Sequence, residues 1–257
     1  MITLTDISKT YGDVPVIEGI SATLPEGKMT AIIGPNGAGK STALMIMARL
    51  LTPSSGQATL KGQPLGEIPP RDFARHVATL RQMPGLDLRL TVEEVVAFGR
   101  FPYSRGRLTP QDRAAIDRAL AFLGLDDLRH RNIDALSGGQ RQMAYLAMTI
   151  AQETECLLLD EPLNNLDMHH AVHIMRALRQ LCDDRGRTVA VVIHDINFAA
   201  NYADHIIALK GGRLVGSGPV AEMVTEPRLS ALYSLDFQVL RHEGGLLCNY
   251  FTSDQRT

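Results

Sequence analysis

Gly34-Pro35-Asn36-Gly37-Ala38-Gly39-Lys40-Ser41-Thr42 decides the fold. It fits the phosphate-loop pattern G-x-x-x-x-G-K-[ST]. The apolar run Met29-Thr30-Ala31-Ile32-Ile33 before it reads as a buried strand, and residues 43–51 after it read as a helix. Strand, loop and helix in that order are the context the pattern needs. Glycines let the backbone wrap an anion and turn its N–H groups inward, and a helix start adds partial positive charge at the same spot. Lys40 brings a full positive charge toward the outer phosphates, and the Ser41 hydroxyl suits Mg²⁺.

Working outward, residues 2–7, 14–24, 57–60 and 77–80 read as strands. Tyr11 is the aromatic side chain ahead of the loop; beside the turn Tyr11-Gly12-Asp13 it is either plain surface or a flat ring for a purine base. Pro84-Gly85 breaks the chain, and residues 83–150 read as helical, an insertion into an α/β core made of residues 1–82 and 151–257. Within it, residues 98–107 are basic and aromatic, and by themselves read as a solvated loop between helices. Ser137-Gly138-Gly139-Gln140 carries a capping box, since Ser137 stands three residues before Gln140. The two glycines also expose N–H groups at a helix start, a second seat for an anion.

Cys156-Leu157-Leu158-Leu159-Asp160-Glu161 is an apolar strand ending in two carboxylates. Asp160 suits a metal at the strand end, and Glu161, pointing the other way, suits a water to be activated. Residues 168–184 form a helix whose His169, His170 and His173 share a face; with no carboxylate or cysteine evident to complete a metal set, they read as an exposed face. Residues 188–193 are β-branched strand, ending at His194-Asp195, where parallel sheets bind ligands. A hairpin about Gly211-Gly212, a helix over 219–232, two short strands at 237–240 and 246–251 and a frayed polar tail over 252–257 complete the chain.

The bulk numbers agree. In 257 residues there is material for one large domain; the net charge of -2 lacks the basic footprint of a nucleic-acid binder. No apolar run reaches the ~20 residues that span a bilayer. The first residues alternate as a strand and do not form a signal peptide. The widely spaced Cys156, Cys182 and Cys248 read as reduced, buried thiols.

The phosphate loop, the Ser137-Gly138-Gly139-Gln140 signature, the Asp160-Glu161 strand and the strand-end His194, in that order, resemble the ATP-binding subunit of ABC transporters over residues 1–240. The resemblance implies ATP and Mg²⁺ as cofactors. It implies Tyr11 stacked on adenine, residues 34–42 around the phosphates with Lys40 on the β- and γ-phosphates, and Ser41, Asp160 and Gln82 at Mg²⁺. It implies Glu161 as catalytic base, Gln82 also touching the attacking water, and His194 on the γ-phosphate. Asp167 then belongs to the loop crossing a dimer interface, and Ser137 to Gln140 of one copy face the nucleotide of the other. The implied partners are a second copy of the chain, two transmembrane permeases, with this chain peripheral at the cytoplasmic face of the inner membrane, and, through them, a substrate-binding protein. Phe98-Gly99-Arg100-Phe101-Pro102-Tyr103 is similar to importers of ferric siderophores, haem and vitamin B12, and Glu161-Pro162-Leu163-Asn164-Asn165-Leu166-Asp167 to a siderophore branch of them. The family more often has threonine at the position of Leu163 and Ser-Ala before Leu166. Residues 83–90 also depart from its usual proline- and glutamine-rich loop.

Overall fold

A computed structural model describes residues 1–81 and 89–251. Gln82, the Pro84-Gly85 break, the loop over 83–88 and the tail over 252–257 lie outside the described residues.

The centre is a six-stranded sheet in the order β10-β9-β3-β8-β7-β6. It is built from β3 (Met29–Ile33), β6 (Val77–Leu80), β7 (Cys156–Asp160), β8 (Thr188–Val192), β9 (His205–Lys210) and β10 (Arg213–Pro219). All neighbours run parallel except β10, which turns back on β9 through Gly211-Gly212. Every residue of β3 and β8 is buried, the expected state of a parallel strand covered on both faces.

The two faces are told apart by alternation. Ala31, Ile33, Leu157, Leu159, Val189 and Val191 point into one core. Ile32, Cys156, Leu158, Ala190 and Val192 point into the other. The period of two along each strand makes this sorting automatic.

The second core is closed by α1 (Lys40–Met47), α2 (Pro70–His76) and a four-stranded antiparallel sheet in the order β2-β1-β4-β5. Its strands are β1 (Ile2–Tyr11), β2 (Val14–Thr23), β4 (Ser55–Leu60) and β5 (Gln63–Pro64). The first core is closed by α3 (Val92–Ala97), α5 (Pro110–Phe122), α6 (Gly138–Ala151), α7 (Met168–Arg185), α8 (Ile196–Tyr202) and the helices that follow. Between α3 and α6 the described residues hold no named strand, as the helical reading of that stretch expects.

Some expectations shift. The helix after the phosphate loop is Lys40–Met47 rather than 43–51; Lys40-Ser41-Thr42 are its first turn, and Arg49, at φ 56°, ends it. Residues 14–23 are one strand. The helix read over 219–232 is two, α9 (Val220–Met223) and α10 (Glu226–Tyr233), because Pro227 fits only a first turn. The last strands are β11 (Gln238–His242) and β12 (Gly245–Asn249), a hairpin held on α8 where the Asn197 and Asn201 amides bond to the Cys248 and Leu246 backbone.

Residues 98–104 are not a solvated loop: they form a 3₁₀ turn and the short helix α4 (Phe101–Ser104), with Arg100 only 6% exposed, while residues 105–107 are exposed. Its guanidinium bonds to Asp112 at 2.9 Å, to the Ala151 carbonyl at 2.8 Å and to Glu153 at 3.0 Å, and lies over the Tyr103 ring. A basic residue in a basic run looks solvated in sequence; its acceptors come from other segments of the chain.

Candidate active site

The loop joins β3 to α1. Gly39 is the N-cap of α1 at φ 91°, where a Cβ would lie 2.3 Å from Ile17; only glycine fits. Having no side chain, it leaves the first-turn N–H groups of α1 without a side-chain cap, so they are available to an anion. Lys40 is 5% exposed and donates to the carbonyls of Gly34 and Pro35 at 2.8 and 2.9 Å. Burial lowers its pKa, and the charges of Glu161 and Asp160 push back upward. A fixed cation next to a helix start without a side-chain cap suits a polyphosphate.

Sheet register gathers the rest. Ile32 of β3 and Asp160 of β7 both pair with Val192 of β8, so three strand ends share one carboxyl edge. The Ser41 hydroxyl donates to Asp160 Oδ1 at 2.8 Å. Burial raises the Asp160 pKa against that hydrogen bond, and the Glu161 charge adds to the rise. A hydroxyl and a half-buried carboxylate beside a phosphate cradle form a hard oxygen donor set that fits Mg²⁺.

Glu161 follows directly, with its backbone left-handed at φ 50°. That conformation is strained for a side chain of this size. His194, beyond the end of β8, places Nε2 2.6 Å from Glu161 Oε1, while the Asn164 amide donates to Oε2. A cleft of about 800 Å³ lies between these groups, lined by Val16, residues 36–42, Glu161, Asn164, Asn165 and His194. Asn164 and Val16 are site residues that sequence reasoning missed. Asn164 stands three residues after Glu161 on a turn, a spacing that offered a signal; Val16 offered none.

Other expected residues stand apart. Tyr11 ends β1, half exposed, with the Lys9 ammonium over its ring, and is not among the residues lining the cleft. Ser137 caps α6 and forms the capping box with Gln140. It, Gly138, Gly139 and Gln140 do not line the cleft of their own chain. Asp167 caps α7, bonding to the His170 N–H at 2.8 Å and to its ring Nδ1 at 2.9 Å. This corrects the expectation that no carboxylate accompanies the histidines: Asp167, His169 and His170 place ligand atoms within 4.8 Å of one another.

Residues 17–164 match the ABC transporter family. The chain is similar to the petrobactin import ATP-binding protein YclP of Bacillus subtilis, 45% identical over 98% of this chain and 100% of that one. It is 39% identical to the ferric enterobactin transport ATP-binding protein FepC of Escherichia coli, over 90% of this chain and 86% of that one. Among solved structures it superposes at TM-score 0.76, with 28% identity over 86% of this chain and 99% of that one, on the ATP-binding cassette MJ0796, described as a dimer in a post-hydrolysis state bound to ADP and phosphate. The phosphate loop, the paired strand-end carboxylates, the facing histidine and these likenesses together establish that the chain belongs to the ABC transporter family.

Proposed function

We propose that this chain is the ATP-hydrolysing subunit that powers import of a ferric siderophore through separate permease subunits. The observation that carries the ATPase reading is the convergence of Lys40, Ser41–Asp160 and His194–Glu161 on one sheet edge around one cleft. Residues 34–42 cradle the ATP phosphates, and Lys40 neutralises the β- and γ-phosphates. Ser41, Asp160 and Gln82 would hold Mg²⁺, which would supply charge neutralisation for phosphoryl transfer. Glu161 orients and deprotonates the attacking water, and Gln82 shares that water. His194, hydrogen-bonded to Glu161, touches the γ-phosphate and fixes the direction of the carboxylate. Catalysis is mainly positioning and charge stabilisation.

Tyr11 stacks on adenine by rotating from the surface position it holds. Ser137, Gly138, Gly139, Gln140 and Asp167 serve the nucleotide of a second copy, which accounts for their absence from their own chain's cleft. Two ATP molecules are thus sandwiched in a dimer, whose closing and opening move the permeases. Residues 1–82 with 151–257 act as the nucleotide-binding core, and residues 83–150 as the helical subdomain that meets the permeases.

None of the described helices is long and apolar enough to cross a membrane. The pathway is supplied by two permease subunits, with this chain docked at their cytoplasmic face and a substrate-binding protein delivering cargo. The siderophore assignment draws on relatives named for petrobactin and enterobactin. It is tested by deleting the gene and growing cells under iron starvation on single ferric chelates. Loss of growth on one siderophore, restored by the wild-type gene and not by the Glu161→Gln variant, supports it; unchanged growth on every ferric siderophore, with loss on haem or vitamin B12, replaces the cargo.

A further inference from the structure

The two glycines of the Ser137 helix tip differ in their surroundings. A Cβ added at Gly138 would meet nothing within 4 Å. A Cβ added at Gly139 would lie 2.6, 2.7 and 2.8 Å from Cγ, Cδ2 and Nδ1 of His170. Gly138 is exposed and Gly139 is buried. Gly138 therefore keeps space open toward solvent, and Gly139 keeps space for an imidazole of the same chain.

That imidazole is not free to move aside. Its Nδ1 bonds to both Asp167 carboxylate oxygens at 2.9 Å, and the same carboxylate accepts the His170 backbone N–H. The His169 ring meets it edge-on, with centroids 5.5 Å apart. Asp167 remains exposed while His170 is largely covered. The ring is a wedge with one end hydrogen-bonded to the first residue of the α7 cap and its side against the first turn of α6.

We propose that His170 is a positioning residue for the ATPase reaction: its imidazole, anchored on Asp167 and seated against Gly139, fixes the spacing between the Asp167 loop and the Ser137 helix tip so that both meet the other copy's nucleotide together. The inference rests on the sandwich-dimer reading above. Two elements reaching one phosphate group must hold their separation to within a fraction of an ångström, because misplacement by about 1 Å costs roughly 100-fold in rate. Neither element reaches the other by backbone pairing; the imidazole bridges them. The arrangement also assigns Gly139 a requirement separate from that of Gly138.

The test uses the full-length protein. In the Glu161→Gln background, ATP with Mg²⁺ is expected to drive dimerisation, read by light scattering; adding His170→Ala should raise the ATP concentration for half-dimerisation about tenfold or more. In the otherwise wild-type chain, His170→Ala should lower kcat roughly tenfold, while binding of a fluorescent ATP analogue to the undimerised chain stays within about twofold, since the nucleotide's own loop is untouched. His170→Asn, whose amide N–H can stand in for Nδ1, should recover part of that loss. Gly139→Ala should be severe alone, yet add nothing to His170→Ala, because the clash disappears with the ring. If Glu161→Gln forms no ATP dimer, the sandwich reading falls and takes the inference with it. If that dimer forms and His170→Ala neither weakens it nor lowers kcat, or if Gly139→Ala is equally harmful with and without the ring, the wedge is refuted and the sandwich stands.

Discussion

His194 Nε2 lies 2.6 Å from Glu161 Oε1, across two adjacent strand ends of the central sheet. The contact joins the group assigned to activate water with the group assigned to sense the γ-phosphate. Glu161→Gln should reduce phosphate release at least ~100-fold while ATP still binds. His194→Ala should also be severe, and the double variant should be little worse than Glu161→Gln alone, because residues acting as one unit are not additive. Steady-state phosphate release with all three variants checks this; full additivity would separate the two residues.

Ser41 donates to Asp160, so the two residues assigned to Mg²⁺ are paired. Ser41→Ala should raise the Mg²⁺ concentration for half-maximal hydrolysis about tenfold, and chelation by EDTA should stop turnover while a fluorescent ATP analogue still binds to the Lys40 loop. A titration of Mg²⁺ at fixed ATP reads the first effect. An unchanged Mg²⁺ requirement would remove Ser41 from the metal assignment.

Arg100 and Asp112 are a buried ion pair that ties the 98–104 turns to α5 and to the end of α6. Arg100→Ala leaves Asp112 buried without its partner, an expected loss of about 3–5 kcal/mol in urea unfolding. The pH dependence has a definite sign. Burial pushes the Asp112 pKa up, but hydrogen bonds from the Thr109 N–H and hydroxyl and the charge of Arg100 outweigh it and hold it below the usual carboxylate range. The folded state therefore releases this proton at lower pH than the unfolded chain does. The contribution is present above the unfolded value of about 4 and is lost as pH falls through the depressed folded value. Asp112→Asn should weaken the fold at neutral pH and flatten its acid limb; an unchanged acid limb would contradict the assignment.

Cys156 and Cys182 are buried, and burial pushes their pKa values up to about 12 and about 11. Neither supplies thiolate at neutral pH, so thiol reagents should label the native protein at these positions far more slowly than in urea. Mass spectrometry of alkylated protein, native against unfolded, measures it; rapid native labelling of Cys156 would mean that the central sheet opens.

The candidate site was legible in the sequence because its motifs are local. Residues 34–42, Ser137 to Gln140 and Asp160-Glu161 each form a continuous string whose spacing is itself the physical requirement. The parallel core was equally legible, since β3 and β8 are short apolar runs ended by turn residues. What escaped lies between strings. Arg100 looked solvated because Asp112, the Ala151 carbonyl and Glu153 arrive from other segments. The contact of His170 with Gly139 joins residues 31 positions apart and leaves no periodic trace. Asp167 was read for a role across a dimer, and its place as the cap of α7 and anchor of His170 became visible only with the helix in view.

A structure of the Glu161→Gln protein with ATP and Mg²⁺ decides the motor reading. The γ-phosphate should sit within hydrogen-bonding distance of Lys40 from one copy and of the Ser137 helix tip from the other, twice in a symmetric dimer. A nucleotide held by Lys40 alone, with every Ser137 tip facing solvent or an unrelated surface, would contradict it.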